Sequence, residues 1–172
     1  MRAAVIAVAL LGGLDGLEEY FPLLAEDWGV PTAGVPLAVL GIPLAGAAGA
    51  ALAGVADRLR PSVLAALLGL AVASLGAAGL LKHPAGLAGV AFFYGLYHMV
   101  LVVADSRLQE RIEGPARATV TSVAGLGIEL AAVVMFAAWA LGGIPLVAAV
   151  GLLIVAALPR RLRVSVASDG TL

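Results

Sequence analysis

Four carboxylates fall inside stretches of sequence that are otherwise apolar: Asp15, Glu18, Glu19 and Glu129. Asp15 and Glu18 are three residues apart and Asp15 and Glu19 four, so a helix gathers all three on one broad face. A carboxylate at the centre of a bilayer costs about 2.5–3.5 kcal/mol, so three in one apolar stretch must meet water or partners. No Lys or Arg lies inside these stretches. Without an internal counter-ion, some of the acids are expected to hold a proton near neutral pH. A carboxyl poised in this way carries a proton across a membrane or binds a cation. The bland alternative is that Glu18 and Glu19 reach solvent near the outer leaflet. Glu129 stands about 12 residues into another apolar stretch, near its middle, and is expected to be the more deeply buried acid. Gly125 and Gly127 just before it permit close backbone approach, so a helix-packing role for a protonated Glu129 is the competing reading.

Tyr94, Tyr97 and His98 share a face by their three- and four-residue spacing, which gives an aromatic wall tipped with hydroxyls and an imidazole. Such a wall stacks on an organic substrate or its cation, or else packs as ordinary core with satisfied polar tips. Tyr20, beside the acids, joins these three as a candidate cavity residue. His83 and His98 are far apart and cysteine is absent, so neither a metal site nor a disulfide framework is expected, and no cofactor is implied. No nucleophile–base pair is evident, which argues against an enzyme.

The elements that must position these residues are membrane helices. The chain of 172 residues is 62% hydrophobic and 12% charged, with a mean hydropathy of +1.09. A water-soluble globule runs at about 25% charged, so this chain belongs in lipid. Its net charge of −1, with basic residues scattered over loop ends, gives no footprint for nucleic acid. A crossing needs roughly 20 apolar residues. Six stretches fit, near Ala3–Leu24, Ala33–Val55, Ser62–Leu81, Ala85–Ala104, Ala118–Leu141 and a shorter Ile144–Leu158. The connections are short, with Trp28 suited to an interfacial belt and Lys82-His83-Pro84 and Gly142-Gly143 as turns. The longest runs from Asp105 to Arg117 and is expected to include a short amphipathic surface helix.

Arg2, Arg58, Arg60, Arg107, Arg111, Arg117, Arg160, Arg161 and Arg163 all fall on one side of this arrangement, and only Lys82 on the other. The positive-inside bias therefore predicts both termini in the cytoplasm. A multi-pass protein of a bacterial plasma membrane is expected, with residues 1–163 as one transmembrane domain and 164–172 as a short polar tail. Met1-Arg2 and the apolar run behind it resemble a signal peptide, but Asp15, Glu18 and Glu19 stand where a cleavage site would be.

The first and fourth stretches carry the polar residues, whereas the third and sixth carry no ionisable residue. That repetition after three helices suggests an internal repeat of the kind found in transporters. In the second stretch Gly41, Ala45, Gly49 and Ala53 recur every fourth residue beside a parallel row of Gly46, Ala50 and Gly54. Rows of small side chains let another helix approach closely, within the chain or from a partner. Pro36 and Pro43 are expected to bend the same helix.

The loop after the second stretch reads Gly54-Val55-Ala56-Asp57-Arg58-Leu59-Arg60-Pro61. It resembles the loop motif of the major facilitator superfamily, in which a Gly, an Asp-Arg pair and further basic residues follow the second helix of a six-helix half. Gly54 stands one place late, and Arg60-Pro61 replaces the Gly-Arg of the motif. The segments Asp105–Gln109 and Gly114–Val120 resemble the link between the tenth and eleventh helices, so nearly the whole chain is similar to a carboxy-terminal half. The resemblance implies a gating role for Asp57, Arg58 and Arg60. It also implies a cavity lined by the first and fourth helices, and second and fifth helices facing a second six-helix half.

The expectation is an integral membrane all-α fold of six helices, three plus three, forming a secondary-active transporter or half of one. It would move a small organic solute by alternating access, coupled to protons, with Asp15, Glu18, Glu19 and Glu129 as proton or cation sites. The second half would be another chain, a second copy of this one, or the missing part of a longer protein, the last suggested by the short leader before the first stretch. A non-transporting membrane protein that binds or regulates a partner through Gly41, Gly46, Gly49 and Gly54 is the reading from a different class.

Overall fold

The computed structural model describes residues 2–110 and 117–163, with side chains for 4–110 and 118–157. The Arg111–Ala116 part of the inner connection and the tail lie outside the described residues. All elements among the described residues are helical. They are α1 (Arg2–Gly12), a 3-10 helix (Gly13–Tyr20), α2 (Phe21–Asp27), a 3-10 turn (Thr32–Gly34), α3 (Val35–Val39), α4 (Gly41–Ala56), α5 (Pro61–Leu81), α6 (Gly86–Glu110) and α7 (Arg117–Arg163).

Four helical runs are long and apolar enough to cross a membrane: Thr32–Ala56, Pro61–Leu81, Gly86–Glu110 and Ala118–Ala157. The first expected stretch is not among them, because Asp15, Glu18 and Glu19 interrupt its apolar length. The last run covers 40 residues. An α-helix of that length would extend about 60 Å, twice the hydrocarbon thickness. Gly143 resolves the mismatch by adopting φ 58 and ψ −152, a region open to glycine alone, within what is otherwise continuous helix.

Close glycine contacts show which way each helix runs. Gly12 faces Ile128 and Gly16 faces Phe136, so α1 and residues 117–142 of α7 are parallel. Gly79 faces Ile144, Gly76 faces Ala148 and Gly151 faces Val72, so α5 and the segment after Gly143 are antiparallel. The chain therefore reverses at Gly143. α4 and α6 run parallel, with Gly49 against the Gly95 backbone and Asp57 beside Arg107 at one end. α6 packs centrally, against α4, α5 and α1. Phe93, Tyr97 and Val90 of α6 are fully buried with Leu11, Leu14 and Leu68.

The second stretch forms one helical run, Thr32–Ala56, interrupted at Leu40 between Pro36 and Pro43, each of which removes a backbone donor. Two local expectations need correction. The segment Asp105–Gln109 forms no separate surface helix but continues α6 to Glu110. Trp28 does not sit exposed in a belt; it is only 6% exposed and packs on Gly86, where any Cβ would crowd the indole.

Each glycine row of α4 has one packed and one open glycine. A Cβ at Gly49 would overlap the Gly95 carbonyl, which is backbone and cannot turn aside, whereas a Cβ at Gly41 or Gly54 would meet nothing within 4 Å among the described residues. Gly49→Ala is expected to destabilise the detergent-solubilised protein by more than about 1 kcal/mol. Gly54→Ala is expected to be neutral or stabilising by up to about 1 kcal/mol through helix propensity. Thermal unfolding followed by size-exclusion of the surviving fraction distinguishes the two.

Candidate functional site

Glycines at 12, 13 and 16 weaken the α-helix of the first stretch, and the same three residues admit α7 on one side. A Cβ at Gly13 would overlap Ala131, and one at Gly16 would lie 3.0 Å from Phe136. From Gly13 the chain winds as a 3-10 helix, in which residues three apart eclipse each other. Asp15 and Glu18 are thereby stacked on one side, opposite α6.

Tyr94 of α6 meets them. Its hydroxyl lies 2.8 Å from Glu18 Oε2 and 3.1 Å from Asp15 Oδ1, within hydrogen-bond reach of both. A phenol has one proton, so it donates to one carboxylate at a time. Both contacts are satisfied together only when one carboxyl carries a proton and donates it to the phenol oxygen. Three oxygens thus form a place for one shared proton. His98, one turn further along α6, brings Nε2 to 3.2 Å from Asp15 Oδ1 without the alignment of a hydrogen bond. That distance is the range of an ion pair when the imidazole is protonated. The His98 ring also tilts against Tyr94 with centroids 4.3 Å apart.

Gly46 of α4 makes room for this pair, since a Cβ there would lie 2.8 Å from the Tyr94 ring and 3.4 Å from His98. Phe21 holds the other side of Tyr94 edge-on, with centroids 5.4 Å apart at 88°. Above Tyr94 an open groove of about 290 Å³ separates the acids from α3 and α4. Glu18, Glu19, Phe21 and Pro22 form one wall, Val39, Ile42 and Pro43 the other, and Tyr94 the floor.

The remaining candidates are placed differently. Tyr97 is fully buried and does not reach the groove; it stacks on Phe93 and donates a 2.9 Å hydrogen bond to the Leu11 carbonyl, where α1 gives way to the 3-10 helix. Side-chain donors of this kind are what allow a helix to change winding inside an apolar bundle. Tyr20 turns to the far side of its helix, stacked on Trp139 at 4.6 Å and edge-on to Phe136.

The expected burial of Glu129 does not hold. Its residue lies on the exposed surface of α7, because that helix packs on α1 through Gly127, Ile128, Ala131 and Ala132. Glu129 is flanked by exposed Leu126, Leu130 and Val133.

At the other end of α6, Arg107 emerges as a residue that sequence reading treated only as a topological charge. Its Nε donates to Asp57 Oδ1 at 2.8 Å, and its Nη2 donates to the carbonyls of Asp57 and Leu59. The guanidinium thus binds two carbonyls of the turn that follows α4 while pairing with Asp57, the residue that ends the helix. Of the three loop residues named from the sequence, Asp57 takes part in this clamp, whereas no side-chain bond of Arg58 or Arg60 is found among the described residues. The available signal was the coincidence of one acid and one Arg at the same end of two neighbouring apolar stretches.

No family model, no curated protein and no solved structure matches the chain.

Replacing Arg107 by Ala removes donors from two carbonyls and a carboxylate that remain partly hydrated. A loss of about 1 kcal/mol in stability is expected, with faster amide exchange over residues 57–60. Arg107→Lys should restore the charge but not the multiple hydrogen bonds, and hydrogen–deuterium exchange should place it between wild type and Ala.

Proposed function

We propose that the chain is a six-crossing unit of a secondary-active transporter that moves a small organic solute by alternating access coupled to protons. The observation that carries this reading is the Tyr94 hydroxyl shared between Asp15 and Glu18 on a rewound helix, with a groove opening onto it. Discontinuous helices beside polar groups at mid-membrane are the construction used for transporter binding sites. A proton held between three oxygens can leave when a solute or His98 changes the local charge, which gives a physical link between proton and solute.

Six crossings follow from counting the rewound first helix as one span and the two arms around Gly143 as two. The resemblance to a carboxy-terminal half of the major facilitator superfamily supports this count. The exposed Glu129 favours a further element of the reading. A carboxyl facing lipid at mid-membrane is costly, so the side of the bundle bearing Glu129 is closed by a second six-helix unit, either another chain or a second copy. Gly41 and Gly54, open on α4, suit the same contact. If the chain does not transport, that surface supports the second reading, a membrane protein that docks on a partner.

The absence of cysteine allows a direct test by single-cysteine labelling. Val39→Cys places a thiol on the groove wall in reconstituted vesicles. Its labelling by a membrane-impermeant maleimide is expected to depend on pH, to occur from both sides of the membrane, and to lose its pH dependence in the Asp15→Asn background. Labelling from one side only, unchanged by pH and by Asp15→Asn, would refute alternating access.

A further inference from the structure

We infer that the groove above Tyr94 binds a small organic ammonium ion, one that brings N–H donors together with a compact apolar body. This rests on the groove being the solute site proposed above, and it names the class of solute.

The polar inventory of the groove consists of acceptors. Glu18 and Glu19 are both exposed to it and offer four carboxylate oxygens. Pro43 has no N–H, so the Val39 carbonyl on the facing wall lacks its usual helical donor. Pro22, on the acidic wall, likewise has no backbone donor to give. The only hydroxyl, that of Tyr94, is already engaged with Asp15 and Glu18. A ligand must therefore supply the donors itself, which excludes carboxylates and phosphates.

Charge points the same way. Among the described residues the carboxylates within ion-pair distance of a basic group are Asp57, beside Arg107, and Asp15, beside His98 when that imidazole is protonated, so neither Glu18 nor Glu19 has a fixed cation. Arg58, Arg60, Lys82 and Arg107 all stand at helix ends or in turns, away from the groove lining. Glu19, with neither a hydrogen bond nor a fixed cation among the described residues, presents its charge to the groove, and an apolar surrounding strengthens the field of such a carboxylate on a cation.

Size and shape complete the specification. The volume of about 290 Å³ lies at the small end of ligand pockets. Phe21 and Tyr94 supply aromatic surface, and Val39, Ile42 and Pro43 an apolar wall. A primary or secondary ammonium on a body about the size of one ring fills such a groove, its N–H groups bonding the acids and its body lying against the aliphatic wall.

Three probes of like size separate the possibilities: phenethylammonium, neutral 2-phenylethanol and anionic phenylacetate, titrated calorimetrically into the full chain in lipid nanodiscs. Phenethylammonium is expected to bind saturably, with the other two weaker by about tenfold or more. Glu18→Gln keeps an acceptor for Tyr94 while removing the charge, and should weaken phenethylammonium by about tenfold. Glu19→Gln provides a second variant at a residue with no hydrogen bond among the described residues, and should also weaken binding. Equal affinity for 2-phenylethanol, or no effect of either variant, would overturn the ammonium assignment while leaving the groove a solute site. Failure of all three probes to bind a folded wild-type chain would overturn the solute site itself, and the transport reading with it.

Discussion

A carboxylate placed in an apolar bundle must be satisfied by hydrogen bonds or charge, and the contact of Tyr94 with Asp15 and Glu18 is where this chain meets that demand. Much of the surrounding structure serves to make that contact possible. The first helix must rewind so that both acids face α6, and the 3-10 winding stacks them three residues apart. Rewinding needs weak helix formers, which Gly12, Gly13 and Gly16 provide, and it needs a donor at the transition, which the Tyr97 hydroxyl provides to Leu11. Gly46 then leaves space for the Tyr94 ring on the side away from the acids.

Glycine therefore has two separable uses in this bundle. Gly49 and Gly95 bring α4 and α6 to backbone contact and fix the rear of the groove, and Gly13 does the same for α1 and α7. A Cβ at Gly41 or Gly54 would meet nothing within 4 Å among the described residues, which leaves those positions of α4 open. Glu129 lies on an open surface of α7. The acidic wall and the aliphatic wall of the groove belong to different helices, and the Arg107 clamp on Asp57 ties α6, which carries the Tyr94 floor, to the end of α4.

The apolar stretches, their turns at Lys82 and Gly143, and the polar residues of the first and fourth stretches were legible from hydropathy and spacing. The grouping of Asp15, Glu18, Tyr94 and His98 was legible only as candidates on two separate helices; that Tyr94 rather than Tyr97 reaches the acids depends on how α1 and α6 cross. A spacing of three residues marks one face under either winding, so the sequence pattern did not distinguish an α-helix from the 3-10 helix that eclipses Asp15 with Glu18. Glu129 was misjudged because depth along a span says nothing about which side of the helix packs. The glycines of α4 looked equivalent by period, and their different roles arise from the ring of Tyr94 and the backbone of Gly95, neither of which period reveals. Arg107 was hidden for a simpler reason: its charge already had a sufficient explanation in topology.

The most direct test of the account is a double-mutant cycle between Asp15→Ala and Tyr94→Phe, read as unfolding free energy of the protein in bilayer-mimetic discs. The contact described predicts a coupling of about 1 kcal/mol, because either substitution alone removes the same hydrogen bond. Additivity within about 0.3 kcal/mol would contradict it, and would mean that Tyr94 does not hold the rewound helix through Asp15.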